Sequence, residues 1–196
     1  METKNTALIL VDVQNAFCSA DGSYIKRGNR ILNKGQALKN IKTLLSLARK
    51  NNWLVIFTKL EFKPDYSDAN LLVKRNPEII KLKGYIKNTW DSKIIDDLKP
   101  KNNGIVIAKN RYDPFLNPNL IKALIKNNIR KIIIAGFLTN VCVESTARSA
   151  FDRDFEVFVV KDATSSYSKD LKDSSLATIG KHFGSVASVK NLEYIK

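Results

Sequence analysis

Short, fully apolar runs alternate along this chain with longer stretches in which apolar residues return every third or fourth position. Residues 7–13 (ALILVDV) are apolar except for Asp12; residues 53–58 (WLVIFT) and 104–108 (GIVIA) follow the same pattern, and residues 132–135 form an unbroken apolar block led by three isoleucines. A further run lies at residues 155–160, and residues 185–189 (SVASV) read as a short final strand. Brief runs rich in Val and Ile, with no polar alternation, are the pattern of strands covered on both faces. Between them Ile31, Leu38, Ile41, Leu44, Leu45 and Ala48 keep helical spacing, and residues 120–128 and 170–183 read as two more helices. Gly136 ends the fourth run, after which Thr139 or Asn140 is placed to cap a helix on which Val141, Ser145, Arg148 and Asp152 share a spacing. Strands alternating with helices predict an α/β fold, a doubly wound, mostly parallel sheet with helices on both faces.

Two stretches escape this pattern. Residues 14–24 (QNAFCSADGSY) read as a loop with a turn at Asp21-Gly22. Residues 59–101 are interrupted by Pro64, Pro77, Gly84 and Pro100, with only residues 94–98 resembling a short helix. A stretch of that length inside a compact domain serves as an active-site wall or a subunit contact.

Composition narrows the class. A chain of 196 residues, 44% hydrophobic and 27% charged, fits one soluble domain spanning residues 1–196, and no segment has the apolar length of a membrane span. The first apolar run leads into Asp12 instead of a small-residue cleavage site, so no secretory leader is expected. Cys18 and Cys142 are far apart, which argues against a disulfide framework and for a cytoplasmic location. A single histidine, His182, and the lack of any CxxC exclude a multi-histidine or thiolate zinc site; carboxylate-only sites for magnesium or calcium stay open. The expectation is no metal and no cofactor. The net charge of +14 is spread over every predicted helix and loop, with no nucleic-acid motif, so it reads as solvated helix faces that also steer a small anionic substrate inward.

Three reactive side chains fall at one edge of the predicted sheet. Asp12, Lys109 and Cys142 each lie at or just past the carboxyl end of a different strand, which is where open α/β sheets bind ligands. Singly, each has an ordinary reading: Asp12 holding a loop amide, Lys109 solvated, Cys142 packed. Together they suit one another, because an ammonium favours carboxylate and thiolate, and a carboxylate can take a thiol proton and return it to a leaving amine. The first turn of a helix also lowers a thiol's pKa. His182, the one histidine available to a Cys-His pair, is expected to pack at the end of its helix.

VDVQNAF at residues 11–17, AKNRYDPF at 108–115 and AGFLTNVCVESTARSAFDR at 135–153 resemble the isochorismatase-like cysteine hydrolase family, and the likeness extends through KNTWDSKIIDDLKP, VVKDATSS and IGKHFGSV. The resemblance implies the parallel α/β fold, assembly as a homodimer or homotetramer, and an Asp-Lys-Cys triad made of Asp12, Lys109 and Cys142. It also implies an oxyanion hole from the backbone N–H groups of Leu138 and Cys142, with a cis peptide at Phe137-Leu138. The family's nicotinamidases carry a metal site with several histidines after the second strand, whereas this chain has KLEFKPDYSD there. Cys142 favours C–N hydrolysis over the vinyl-ether hydrolysis of true isochorismatases, and residues 61–69 and 88–98 look most like the ureidoacrylate-type branch. The expected pocket comprises Phe17, Trp90, Tyr112 and Phe115 as aromatic walls and Glu61 and Asn140 as polar anchors. Ether hydrolysis driven by Asp12, and a binding protein on the same fold, are the rival readings; against the latter's dinucleotide form, no G-x-G-x-x-G follows the first strand.

Overall fold

A computed structural model describes residues 5–101 and 104–192, so the outermost residues of the expected domain lie outside the described part. Each apolar run becomes a strand: β1 (Thr6–Val11), β2 (Leu54–Leu60), β3 (Ile105–Lys109), β4 (Lys131–Phe137), β5 (Glu156–Ser165) and β6 (Ser185–Ala187). The helices are α1 (Asn15–Cys18), α2 (Ser23–Lys26), α3 (Lys34–Lys50), α4 (Leu71–Arg75), α5 (Glu78–Lys81), α6 (Pro118–Lys126), α7 (Glu144–Phe151), α8 (Lys169–His182) and α9 (Val189–Leu192).

The six strands form one sheet in the order β3-β2-β1-β4-β5-β6, and every pairing is parallel. Alternate side chains of β1 divide the core. Leu8 and Leu10 meet Ile41, Leu44 and Leu45 of α3, whereas Ala7, Ile9 and Val11 meet Leu120 and Leu124 of α6, Ala147 and Ala150 of α7 and Ile179 of α8. All six β1 residues are buried, which is why the run carries no polar alternation. Chain order reverses between β1 and β4, so the carboxyl ends of these two central strands flank the crevice of the fold.

Several strands run further than the apolar pattern suggests. β5 continues past Val160 to Ser165, and β2 past Thr58 to Leu60, because the backbone of Leu60 still pairs with Lys109. Gly136 does not end β4. It stands opposite Val11 on one side and, after a register shift, Thr164 on the other, with φ of +122°. A Cβ there would lie 2.0 Å from the Val11 carbonyl oxygen, so only glycine lets the central strands close up at this point.

The two unpatterned stretches hold order through side chains that grip backbone. The predicted loop at residues 14–24 contains α1 and the start of α2, four residues each and too short to show helical spacing. Residues 59–101 contain α4, α5 and a 3₁₀ turn at Asp96–Leu98. Gln14 ties the two together: its amide donates to the carbonyls of Leu60 and Ser92, both at 2.9 Å, and its oxygen accepts from Leu60 N–H at 2.8 Å. Asp91 does likewise, accepting from Ser23 N–H and Oγ–H at 2.8 Å and from Tyr85 N–H at 2.7 Å.

Substituting Gly136→Ala is expected to lower stability by about 3 kcal/mol or more, a fall in Tm of roughly 6 to 12 °C for a chain of this size, read by thermal unfolding. An unchanged Tm would mean that β1 and β4 separate without cost at this point.

Candidate active site

The end of β1 delivers Asp12 into the crevice with φ of +53°, its N–H donating to the Thr58 carbonyl at 3.2 Å. Its side chain is fully buried. One carboxylate oxygen accepts from Thr58 Oγ1 at 2.9 Å and the other from Lys109 Nζ at 2.7 Å. Lys109, the last residue of β3, is itself buried, and its ammonium distributes its three N–H donors to Asp12, to the Arg111 carbonyl at 3.2 Å and to Cys142 Sγ at 3.6 Å. Acid, amine and thiol from three strand ends therefore touch inside the protein.

Cys142 does not sit in a helix capped by Thr139 or Asn140. Residues Thr139–Val143 form a π-turn that leads into α7, and the residue at the cap position is Leu138, without a side-chain cap. The two expected caps are engaged elsewhere: Thr139 Oγ1 bonds Thr164 Oγ1 at 2.8 Å, and Asn140 accepts from Ser166 Oγ and reaches Tyr167 Oη at 3.4 Å. The Phe137-Leu138 peptide bond is cis.

The thiol's electrostatics also differ from the helix-terminus expectation. Burial pushes the Cys142 pKa well above the ordinary thiol value, and the charge of Asp12 and a hydrogen bond to it push the same way; the Lys109 cation pulls it down without reversing the result. Desolvation of a thiolate outweighs the partial charge of a turn's amides in so enclosed a position. For Lys109 burial alone would lower the pKa, but the charges of Asp12 and Cys142 and their hydrogen bonds more than offset it, so the ammonium is held above its usual range. The resting state is thus a buried ion pair beside a neutral thiol.

A cavity of about 300 Å³ opens onto Cys142. Of the sequence-predicted pocket residues, Phe17 and Tyr112 line it, as does Leu138. The others do not. Trp90 is half exposed away from it, and Phe115 is buried in the core beside Phe155, at 6.3 Å between ring centroids. Glu61 pairs with Lys59 at 2.6 Å and faces a separate cavity of about 420 Å³ on the Lys109 side. Asn140 acts on the pocket only through Tyr167, which lines it. His182 is exposed at the end of α8, edge-on to Phe183, and does not pack as expected. Among the described residues no group of three or more His, Cys, Asp or Glu side chains is placed to hold a metal, and no helix is long and apolar enough to cross a membrane.

Sequence reasoning missed the polar and aromatic wall residues Tyr24, Arg27, Asn29, Asn76, Tyr85 and Tyr167, and the apolar Leu60, Leu72, Ile79 and Val141 beside them. Arg27 donates from Nη2 to Tyr85 Oη at 2.9 Å and stacks on the rings of Tyr24 and Tyr85, with Cζ 5.3 and 5.8 Å from their centroids. Phe17 packs behind them, 5.1 Å from Tyr24 and 5.4 Å from Tyr85. The aromatic content of residues 14–24 and 59–101 was the available signal, but no periodicity showed which rings converge.

Fold and site together define an enzyme of the α/β class, with a charged centre at its ligand-binding edge. Residues 6–191 match the isochorismatase domain, and the chain belongs to the isochorismatase family of hydrolases. It is similar to the ureidoacrylate amidohydrolase RutB of Agrobacterium fabrum, with 32% identity over 208 residues covering 97% of this chain and 90% of that protein. Against the protein of the same name from Yersinia enterocolitica the identity is 34% over 202 residues, covering 96% and 87%. Among solved structures, a cysteine hydrolase from Pseudomonas syringae pv. phaseolicola superposes with a TM-score of 0.89 at 26% identity, over 98% of this chain and 92% of that one. The fold is shared too by N-carbamoylsarcosine amidase from Thermoplasma acidophilum, with a TM-score of 0.72 at 22% identity, over 94% of this chain and 96% of that one.

Since burial and Asp12 raise the thiol's pKa and Lys109 lowers it, alkylation of Cys142 by iodoacetamide should still be accelerating above about pH 9, where an ordinary thiol of pKa about 8.5 is already mostly ionised. Asp12→Asn should speed labelling at a given pH and Lys109→Met should slow it. The reverse order, read by intact-protein mass spectrometry, would contradict this account of the site.

Proposed function

We propose that this enzyme is a metal-independent cysteine hydrolase that cleaves a C–N bond of a small amide or ureido compound through a thioester. The observation that carries this reading is Lys109 bridging Asp12 and Cys142 behind the cavity wall, with Cys142 itself lining the cavity. The names borne by the relatives, ureidoacrylate amidohydrolases, support the C–N bond as the point of cleavage.

Chemistry follows from the resting state. A neutral thiol attacks nothing, so its proton must leave as sulfur meets the carbonyl carbon, and Asp12, held by the same Lys109 ammonium that reaches the sulfur, is the base at hand. Proton transfer to Asp12 and C–S bond formation convert the substrate carbonyl into an oxyanion. The N–H groups of Leu138 and Cys142, both residues of the cavity wall, are the proposed donors to that oxygen. Collapse breaks the C–N bond, and Asp12 returns the proton to the departing nitrogen, leaving a neutral amine or ammonia and an acylated sulfur. Water then attacks the acyl carbon with Asp12 again taking a proton, and the thiol is restored. Lys109 stays charged throughout, favouring both the carboxylate and the developing thiolate. Nucleophile, proton carrier and counter-charge are all side chains, so the cycle needs no metal.

Cys142→Ala is expected to cut kcat on an amide or ureido substrate by about 10⁴-fold or more. Brief mixing of the wild type with that substrate should add the acyl mass to the peptide bearing Cys142. A variant that kept most of its turnover would favour Asp12-driven ether hydrolysis instead.

A further inference from the structure

The proposed chemistry uses Cys142, Asp12 and Lys109 but leaves idle the charged side chain in the cavity wall, Arg27. None of the ion pairs among the described residues includes it. The guanidinium is nonetheless fixed. Nη2 donates to Tyr85 Oη, Nε reaches the Ser23 carbonyl at 3.4 Å, and the rings of Tyr24 and Tyr85 flank it. Nη1 makes no hydrogen bond among the described residues, so part of the fork is left for a guest. Asp91, the carboxylate that binds the same two neighbours, Ser23 and Tyr85, is saturated by their backbone and hydroxyl donors.

The remaining cavity residues carry no negative charge. Phe17, Leu60, Leu72, Ile79, Leu138 and Val141 are apolar, Asn29 and Asn76 are neutral, and burial keeps the Tyr24 and Tyr85 hydroxyls and the Cys142 thiol protonated. A half-enclosed cavity with one immobilised cation and no acid attracts an anion, and a planar guanidinium offers paired N–H donors that match a carboxylate. About 300 Å³ is roughly ten water volumes, room for a reacting carbonyl and an acid group joined by a short chain.

We propose that Arg27 anchors a carboxylate of the substrate, so that the molecule cleaved at Cys142 is a small amido or ureido acid held by its anionic end. The reaction named here rests on the C–N hydrolase reading; the anion site rests on Arg27 alone.

Calorimetric titration of the Cys142→Ala protein with 3-ureidoacrylate, 3-ureidopropionate and maleamate, each against its neutral primary amide, tests the site without turnover. The acids should bind about 10- to 100-fold more tightly than the amides. Adding Arg27→Gln should abolish that preference while leaving the amides within about threefold, and Arg27→Lys, which keeps the charge but loses the fork, should restore part of it. No preference for any acid, or an equal loss for acid and amide in Arg27→Gln, would overturn the proposal; the second result would make Arg27 a support for the tyrosine wall. Turnover by wild type separates the two readings. Acid preference in binding with no hydrolysis of any pair would sink the C–N reading and keep the anchor, whereas equal hydrolysis of acids and amides would do the opposite.

Discussion

The ion pair between Asp12 and Lys109 is the constraint around which this protein is arranged. Both side chains are essentially withdrawn from water, and an ion so placed carries an effective penalty of several kcal/mol unless it is fully partnered. The sheet supplies the partners. Asp12 comes from β1, Thr58 from β2 and Lys109 from β3, three adjacent strands whose parallel register brings their carboxyl ends level, while the Arg111 carbonyl takes a further ammonium proton. An antiparallel strand in this position would send one of the charges to the opposite edge. Parallel pairing, burial and charge are one solution here.

The thiol enters this arrangement last, from β4, and its position explains a conflict between local and global electrostatics. A helix start favours thiolate, and the sequence around Cys142 looks like a helix start. In the structure the first turn is a π-turn, its expected caps face β5 and its flank, and the sulfur lies where desolvation dominates. Burial thus holds the proposed nucleophile toward its thiol form. A carboxylate bound to the same ammonium that reaches the sulfur makes such storage compatible with reaction.

How much of this was legible in the chain depended on the range of the interactions. The central strands were visible because burial on both faces leaves a one-dimensional trace, an apolar run. Asp12 and Lys109 were visible because each directly follows or ends such a run, and Cys142 because it lies in the turn that comes after one. Strand ends were misjudged at Gly136 and Val160, since pairing with a neighbour, and not side-chain polarity, decides where a strand stops. The cavity wall was the least legible. Phe115 and Trp90 are aromatic residues near the motifs, yet one fills the core and the other faces solvent; Tyr24 and Tyr85, 61 positions apart, flank the same Arg27 guanidinium, and Asp91 binds the backbone of Ser23 and of Tyr85 beside them. Contacts made through single side chains to distant backbone leave no periodic trace.

Gln14 shows what that mode of attachment permits. It joins the end of β1 to β2 and to the segment carrying much of the cavity wall, and every atom it binds belongs to the main chain, at Leu60 and Ser92. The fastening therefore takes no account of which side chains the wall presents. Residues facing the cavity can be exchanged through descent while the seam two positions from Asp12 holds the same geometry. An enzyme fastened in this way can change its diet without rebuilding its chemistry.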